Sequence, residues 1–578
     1  MTQIEPGGGI GRRASVLLPV LLAAAVYLAS TAGRAVTDYD EAYYVQPALG
    51  MVESGNWVTP YANGVRFLEK PPLLYWVTAA SFKTFGINEF SLRFPTACAV
   101  VALVLIVACT AGRAGDPAAA MTAGLATAFS AGAYLFTRET LHDVWLVLLL
   151  ALAVWALLRW RLDPRRPLGP ALVFYGAAAG ATMCKSLVGV AFPLGIAAVF
   201  FLLGRERPRW RTLHLLPGAA LYLALAAPWH AMAALDNRGF LEYFFLEEQV
   251  LRFLGMRALP VLWSVPLWLF WALVPVWFFP WTAFLPAALR AGRGPGDAPE
   301  RILVRLAVAW AVVVLGFFSL SARLEHYAFP ALPALAVLAG TAMHRGRGGR
   351  AVLWGFRGLA LFGLLCLAFA ILAGAWIAAG GGFDYALPES PDRIAETDFS
   401  ILAEIPPEMA ARLLGPAAAA VLALAAGFVA ALGFERRGRR VPAIVCVALT
   451  MAAVFGMAHW SLHICEDLIS SKKFALAIAR EAGPGDRAVV VGDYESANSL
   501  NFYVPIGVEV YRGEAYALVP GLRYGDSPKI LLSDEEFAEA WRGPGRVFAL
   551  APASGVEALV PGGREMLRVL DRVLVCNR

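Results

Sequence analysis

Acidic side chains stand at the edges of long apolar runs, where a charge is costly unless it serves a purpose. Asp40 and Glu41 follow the first apolar run of the chain, and Asp143 stands at the start of a later one. Ionisable groups at such borders indicate a functional site. A carboxylate there suits the deprotonation of a hydroxyl group or the orientation of a sugar. The alternative interpretation is that these carboxylates cap helix N-termini, where negative charge is also favoured.

Cationic side chains occur at similar borders, again with acidic and aromatic neighbours. Beside or between further apolar runs stand Glu69, Lys70, Lys185, Arg252, Arg323, His326 and Tyr327. Cations in a semi-buried pocket suit a phosphate group, by charge and by donor geometry. Lys185 also fits a simpler interpretation, in which a long side chain reaches the membrane surface and has no further role. Together these residues predict the transfer of a group from a phosphate leaving group to an acceptor.

The elements that must position these residues are membrane helices. The chain has 578 residues, of which 59% are hydrophobic and only 16% charged, whereas a soluble domain carries about 25% charged residues. The apolar residues are clustered in runs of about 20, which is the length that crosses a bilayer as a helix. This composition excludes a large soluble protein. The net charge of +6 does not indicate nucleic acid, because the arginines stand in short clusters and form no long basic face.

The hydropathy pattern predicts about thirteen membrane-spanning helices. The predicted spans are 14–34, 91–112, 117–136, 144–161, 168–184, 187–204, 212–233, 262–289, 302–320, 327–343, 352–378, 413–432 and 441–462. With these spans the arginine clusters fall on one side, which predicts that this side is cytoplasmic. The N-terminus is then cytoplasmic, and every polar cluster described above lies on the outer side.

The sequence divides into a membrane domain, 1–465, and a soluble tail, 466–578. The membrane domain includes a long first outer loop over 35–90. The tail changes to a pattern of short strands and helices, which predicts a small α/β domain. Its predicted elements are helices over 472–482 and 534–541 and strands over 487–493, 508–512 and 546–551.

The order of the motifs resembles a known family. Asp40-Glu41 follows the first helix, Glu69-Lys70-Pro71-Pro72 stands in the first loop, Asp143 follows the second outer loop, and Ser-Leu-Ser-x-Arg-Leu-x-His-Tyr precedes a proline-rich helix. This order resembles the GT-C membrane glycosyltransferases. Within them it is most similar to the lipid A aminoarabinose transferases and the related protein O-mannosyltransferase-like enzymes. The resemblance implies a GT-C fold and covers residues from about 14 to 345.

The resemblance also implies roles for individual residues. Asp40, with Glu41 beside it, matches the principal acidic residue of the family, and Asp143 matches the second acidic position. The positions that match donor phosphate and sugar contacts are Glu69, Lys70, Lys185, Arg252, Arg323, His326, Tyr327 and Tyr43. Tyr43-Tyr44 replaces the Arg-Tyr of the aminoarabinose transferases, and Gln249 replaces a histidine after Glu248. These departures leave the sugar open.

The implied reaction is transfer of a monosaccharide, with inversion, from a polyprenyl phosphate to a lipid, glycan or protein acceptor. In bacteria the donor lipid is usually undecaprenyl phosphate, and the reaction takes place at the periplasmic face of the inner membrane. No metal is needed if the cations stabilise the departing phosphate. A divalent cation held by Asp40, Glu41 and Asp143 is the alternative.

Two other functions stay open at this point. A transporter or flippase of lipid-linked sugars would also have many spans and a charged cavity. Transporters tend to carry internal repeats, and the halves of this sequence show none. A non-catalytic scaffold, whose tail binds an envelope partner, is the third interpretation.

Overall fold

A computed structural model describes residues 11–205, 210–256, 264–291, 298–344, 349–379, 405–504 and 506–578. Helices build nearly all of it up to residue 465. Those helices are α1 (Arg12–Ala29), α2 (Asp40–Ser54), α3 (Leu73–Phe85), α4 (Glu89–Ala114), α5 (Pro117–Ala128), α6 (Ala131–Leu135), α7 (His142–Leu162), α8 (Leu168–Lys185), α9 (Val188–Gly204), α10 (Leu215–Asp236), α11 (Arg252–Leu254), α12 (Leu267–Trp277), α13 (Leu285–Ala291), α14 (Pro299–Leu320), α15 (Leu332–His344), α16 (Gly349–Ala378), α17 (Pro407–Arg436) and α18 (Arg440–Ile464). A π-helix, Glu242–Leu251, leads into α11.

Within the described residues, nine helices are long and apolar enough to cross a membrane. A tenth span results if α12 and the segment Trp281–Ala288, bent by 92°, count as one. The three remaining predicted spans are helical too: 117–136 is broken into α5 and α6, and 168–184 and 187–204 coincide with α8 and α9. The chain is therefore a multi-pass membrane protein, while thirteen spans and their orientation stay a prediction. The predicted spans 352–378 and 413–432 are joined by a predicted outer loop, 380–412. Most of that loop lies outside the described residues.

Small residues let the central helices approach closely. A Cβ atom on Gly124 of α5 would stand 2.9 Å from the Pro19 side chain of α1. On the other face of α5, a Cβ on Gly340 of α15 would meet the Ala119 carbonyl oxygen at 2.8 Å. Without a hydrophobic drive between helices in lipid, such close packing is what holds membrane helices together.

The first outer loop is an ordered structure in its own right. It contains α2, a hairpin formed by β1 (Tyr61–Ala62) and β2 (Val65–Arg66), and α3. Asn63 and Gly64 form the two-residue turn, both with positive φ, as a tight hairpin turn requires. The Asn63 side chain also pairs with the backbone of Val508, so the hairpin tip is bound to the tail.

The tail forms a six-stranded sheet with helices packed against it. Its elements are α19 (Glu466–Ile469), α20 (Lys472–Glu481), β3 (Arg487–Val491), α21 (Leu500–Tyr503), β4 (Val508–Tyr511), α22 (Val519–Leu522), β5 (Leu531–Leu532), α23 (Asp534–Arg542), β6 (Val547–Pro552), α24 (Val556–Leu559), β7 (Arg564–Val569) and β8 (Arg572–Cys576). The strand order is β5-β4-β3-β6-β8-β7. The strands β5, β4, β3 and β6 run parallel, whereas β8 and β7 pair antiparallel. The predicted strands and helices of this α/β region are confirmed, and β5, β7 and β8 were not predicted.

One hydrophobic core joins the tail to the first loop. Leu74 and Tyr75 of the loop are buried in the same cluster as Phe474, Leu500 and Phe548 of the tail. Because apolar burial is the main stabilising contribution to a fold, the loop and the tail stabilise each other. The division at residue 465 stays a prediction.

Candidate active site

Glu69 connects two parts of the first loop with α11, the short helix that follows the π-helix. Lys70 and Tyr43 both donate hydrogen bonds to its carboxylate, and Arg252 Nη1 lies 3.5 Å from Oε1. Pro71 and Pro72 stiffen the chain directly after this pair, before α3 begins. Burial alone would raise the pKa of the Glu69 carboxyl, but Lys70 and Arg252 hold it well below its usual range. Glu69 is therefore ionised at neutral pH.

Arg252 extends the contacts from Glu69 toward α14 and α15. Its Nη1 lies 3.1 Å from Glu248 Oε2, one turn earlier in the chain. Its Nη2 donates to the Tyr327 hydroxyl at 3.4 Å. The π-helix that ends at Leu251 brings this arginine into place, and such helices are frequent at functional sites.

Asp143 and Lys185 form the other half of the site. Lys185 Nζ lies 2.6 and 2.7 Å from the two Asp143 oxygens and 4.6 Å above the Tyr327 ring. His326 Nε2 lies 3.8 Å from Asp143 Oδ2. Asp143 stands in the first turn of α7 and Lys185 at the end of α8, the helix ends that favour these charges. The Lys185 side chain is 13% exposed and does not reach out to the surface.

These contacts form one continuous chain of side chains, here called the donor network. Its members are Tyr43, Glu69, Lys70, Glu248, Arg252, Tyr327, Lys185, Asp143 and His326. The structure thus brings together side chains that are far apart in the sequence, and their roles stay a prediction. Arg323 lies apart from it, because its Nε donates to the carbonyl oxygens of Phe318 and Ser321 at the end of α14.

Glu41 lies in a second, sealed cluster, here called the closed network. Its side chain is fully buried, and Arg93 donates to both of its oxygens at 2.7 Å. Arg34 Nη2 lies 3.3 Å from the same carboxylate, and the Thr37 amide donates to it at 3.1 Å. Burial opposes the charge of Glu41, yet the two arginines lower its pKa to about 2. These contacts fit a structural role better than contact with a substrate.

Asp40 is exposed in the first turn of α2, beside the buried Glu41. Burial and then the charges of Glu69 and Asp40 raise the pKa of Tyr44 well above its ordinary value. The charges of Glu69 and Asp40 thus both act on the Tyr44 hydroxyl group.

The sequence did not predict a group of aromatic rings that lies beside the donor network. The Tyr44 ring lies 4.9 Å from that of Tyr43 and 4.8 Å from that of His142, which in turn lies 5.2 Å from the Tyr75 ring. The buried Tyr75 hydroxyl and both His142 ring nitrogens find no hydrogen-bond partner among the described residues. Buried polar atoms of this kind ask for an explanation. A histidine beside Asp143 at the start of an apolar helix was the available signal.

The alternative of a divalent cation finds no preformed site in the part of the chain that the structure describes. No group of three His, Cys, Asp or Glu side chains there is close enough to hold a metal ion. Glu41 is enclosed by arginines and Asp143 is held by Lys185, so the three carboxylates that the sequence suggested are not assembled together.

A cleft of about 390 Å³ opens between the first loop, the segment 238–247 and the tail. It is lined by Arg66, Leu68, Arg238, Gly239, Glu242, Tyr243, Glu247, Pro520, Gly521, Arg523, Tyr524 and Gly525. Leu68 directly precedes Glu69, so the cleft adjoins the donor network. Arg238 and Arg523 are both exposed at its edge.

Known proteins resemble this chain along most of its length. The family model described as dolichyl-phosphate-mannose-protein mannosyltransferase matches residues 69–231. An undecaprenyl phosphate-alpha-4-amino-4-deoxy-L-arabinose arabinosyl transferase of Pseudomonas aeruginosa is 32% identical over 373 residues, which are 63% of this chain and 66% of that protein. The protein of the same name from Aeromonas salmonicida is 29% identical over 364 residues, 60% of this chain and 64% of its own length. The chain thus matches slightly less than two thirds of these relatives.

The structural comparison covers nearly the whole chain. The crystal structure of ArnT from Cupriavidus metallidurans bound to undecaprenyl phosphate has a TM-score of 0.81 at 24% identity, over 97% of this chain and 98% of that one. The archaeal oligosaccharyltransferase AglB from Archaeoglobus fulgidus has a TM-score of 0.50 at 13% identity, over 95% of this chain and 70% of its own. The fold is that of the GT-C membrane glycosyltransferases. Within that class the chain resembles the aminoarabinose transferases, as the order of motifs in the sequence predicted.

Proposed function

We propose that this protein transfers a monosaccharide from a polyprenyl-phosphate donor, undecaprenyl phosphate in bacteria, to a lipid, glycan or protein acceptor. The observation that carries the proposal is the donor network. Lys70, Lys185 and Arg252 stand in one half-buried group, each held by a carboxylate. Fixed cations in a dry site stabilise charge that develops on a leaving group, and do so without having to reorganise. The names of the relatives, which include undecaprenyl phosphate, support the same donor class.

The reaction breaks the bond between the anomeric carbon and the phosphate oxygen of the donor. The electron pair stays on the phosphate, where Lys70, Lys185 and Arg252 stabilise it. An acceptor oxygen forms the new bond from the opposite face of the sugar, which inverts the anomeric centre. If the acceptor is a hydroxyl group, Asp40 takes its proton as general base. If the acceptor is itself a phosphate, no base is needed and Asp40 only positions the acceptor.

Asp143 orients the sugar and holds Lys185, while Glu69, which accepts a hydrogen bond from Tyr43, holds Lys70 and Arg252. The aromatic group of Tyr44, Tyr75 and His142 supplies apolar walls and unpartnered polar atoms next to Asp143, which suits a sugar ring. Glu41 holds α2 in place from the membrane side. Arg323 is a weaker candidate for the phosphate than Arg252, because backbone carbonyls already accept from its guanidinium group.

The site belongs to the periplasmic face of the inner membrane, with the N-terminus in the cytoplasm and the tail in the periplasm. The arginine clusters of the sequence support this orientation. The cleft beside Leu68 is the route by which the acceptor reaches the site, since it is open, carries charged side chains in its lining and is adjacent to Glu69.

The experiment is a transfer assay with the purified protein in lipid nanodiscs or in sealed vesicles. Donors of different sugars, labelled in the sugar, are offered with lipid, glycan and peptide acceptors. We expect label in an acceptor and free polyprenyl phosphate in equal amount. Movement of the labelled lipid across sealed vesicles without transfer would instead establish a flippase. If no donor and acceptor in the panel gives either sugar transfer or movement of the labelled lipid, only the scaffold function remains.

A further inference from the structure

The backbone directly before Asp40 adopts a conformation that a tyrosine rarely has. Tyr39 has φ 64° and ψ −119°, a region that favours glycine because a Cβ atom crowds the backbone there. Its side chain is 53% exposed. Hydrogen bonds to its backbone help to maintain this conformation, and one of them comes from the Tyr43 amide of α2 at 2.9 Å.

The tail supports this backbone through one carbonyl oxygen and one side chain. The Glu495 carbonyl oxygen lies 3.2 Å from the Tyr39 amide. Asn498 is fully buried, its Oδ1 accepts from the Tyr39 amide at 2.9 Å, and its Nδ2 donates to the Tyr39 carbonyl oxygen at 3.0 Å. A side-chain amide offers a donor and an acceptor in one planar group. Asn498 thus binds both backbone groups of Tyr39.

The residue before it is bound by the tail as well. The buried Asp38 accepts hydrogen bonds from the Ser499 amide and the Ser471 hydroxyl, both at 2.9 Å. Arg572 Nη1 lies 3.6 Å from the same carboxylate. The Asp38 amide donates to the Ile469 carbonyl at 2.8 Å.

The membrane helices hold the other side of the same turn. Arg93 of α4 donates to Glu41 and also to the carbonyl oxygens of Arg34 and Ala35, at 2.6 and 2.8 Å. The exposed residues Tyr39 and Asp40 therefore lie between Asp38, which the tail binds, and Glu41, which the membrane helices bind.

We propose that the tail is a positioning domain for the first loop, and that Asn498 is the residue through which it fixes the backbone that carries Asp40. This inference rests on the proposed function for the part played by Asp40. The tail then affects catalysis although it does not contact the reacting atoms. Asn498 is a positioning residue in this account, because it acts only through Tyr39.

The test compares Asn498→Ala with Asn577→Ala in the full chain. Asn577 is a matched control, because its side chain also makes both donor and acceptor bonds to the backbone, but within the tail and far from α2. Hydrogen exchange is measured over residues 38–44 and over the strands of the tail. We expect Asn498→Ala to speed exchange over 38–44 while the tail strands stay protected, and Asn577→Ala to leave 38–44 unchanged.

Transfer kinetics give the second readout. A displaced general base lowers kcat with little change in the KM for the donor, and small displacements cost up to about 100-fold. We expect a fall of about 10-fold to 100-fold in kcat for Asn498→Ala, and a smaller fall for Asn498→Asp, which keeps the acceptor atom for the Tyr39 amide. Tyr39→Gly should weaken the effect of Asn498→Ala, because glycine adopts this backbone conformation without support.

Unchanged exchange over 38–44 in Asn498→Ala would overturn the inference, and so would faster exchange with an unaltered kcat. If Asn498→Ala also speeds hydrogen exchange in the tail strands, exchange over 38–44 is measured in Asn498→Asp instead. Unchanged exchange over 38–44 in that variant overturns the inference. If the unsubstituted protein transfers no sugar at all, the proposed function fails, while the exchange result still decides whether Asn498 holds the loop.

Discussion

The closed network and the donor network both pair a glutamate with two cations, yet they differ in what surrounds the charges. Glu41 and its partners Arg34 and Arg93 are 0%, 2% and 7% exposed. Glu69, Lys70 and Arg252 are 16%, 12% and 21% exposed. The donor network also adjoins an open cleft and an aromatic group with unpartnered polar atoms. Buried ion pairs alone therefore do not identify an active site. Partly exposed charges next to polar atoms without hydrogen-bond partners do.

The first prediction separates Asp40 from Glu41, its neighbour in the sequence. Asp40→Asn should lower the rate of transfer to a hydroxyl acceptor by about 100-fold to 10,000-fold, the range for a lost general base. Its melting temperature should stay close to that of the unsubstituted protein, because Asp40 is exposed. The rate is measured with a saturating donor. Near-normal transfer to a hydroxyl acceptor by a folded Asp40→Asn would remove Asp40 from this role.

The second prediction concerns the closed network. Glu41→Ala leaves two buried arginines without their carboxylate, which costs about 3–5 kcal/mol of folding stability. We expect a strong fall in melting temperature, while transfer per folded molecule falls by much less than in Asp40→Asn. Thermal unfolding in detergent and the active fraction measure the two effects. A stable Glu41→Ala with no transfer would place Glu41 in the site instead.

The third prediction compares two arginines that the sequence could not rank. Arg252→Ala should lower kcat by about 100-fold to 1,000-fold, as the loss of a fixed charge at a developing anion does. Arg323→Ala is the matched control and should change kcat by less than about 3-fold, because its guanidinium contacts are backbone carbonyls. Steady-state kinetics with one donor decide between them. Equal losses would show that both arginines serve the phosphate.

The smallest expected effect is a dependence of stability on pH. The folded pKa of Glu41 is about 2, below the ordinary value for glutamate, so its contribution to stability is complete above about pH 4.5 and is lost as the pH falls toward 2. Between pH 5 and 3 this amounts to about 2 kcal/mol. Unfolding of the unsubstituted protein and of Glu41→Gln is compared at both pH values. Their difference in stability should shrink at pH 3, and a constant difference would show that the pairing is not ionic.

The sequence predicted the helices well, because each signal is local. An apolar run of membrane length and a charge at its border can be seen within a few residues. Strands β3 and β6 were also predicted from their apolar runs, whereas β7 carries two arginines and a glutamate among its apolar residues. Strand β8 has the same pattern as β3, an arginine followed by four apolar residues, and was missed all the same.

The contacts that fix the loop could not be predicted in the same way. Arg93 stands inside an apolar run and pairs with a glutamate 52 residues away, and Asn498 binds Tyr39 across 459 residues. No local pattern indicates such partners. The fully buried His142 was missed for a related reason, since its importance comes from the rings of Tyr44 and Tyr75 that pack against it.

The central claim is that the donor network performs sugar transfer, and a comparison of two glutamates that each pair with an arginine tests it most directly. Glu69→Gln keeps the shape of the side chain but removes the charge that holds Lys70 and Arg252. Glu435→Gln is the control, because Glu435 is a buried carboxylate that also pairs with an arginine, Arg440, outside the network. With a labelled polyprenyl-phosphate sugar, we expect transfer by Glu69→Gln to fall at least about 100-fold and transfer by Glu435→Gln to match the unsubstituted protein. Equal transfer by the two variants would contradict the account.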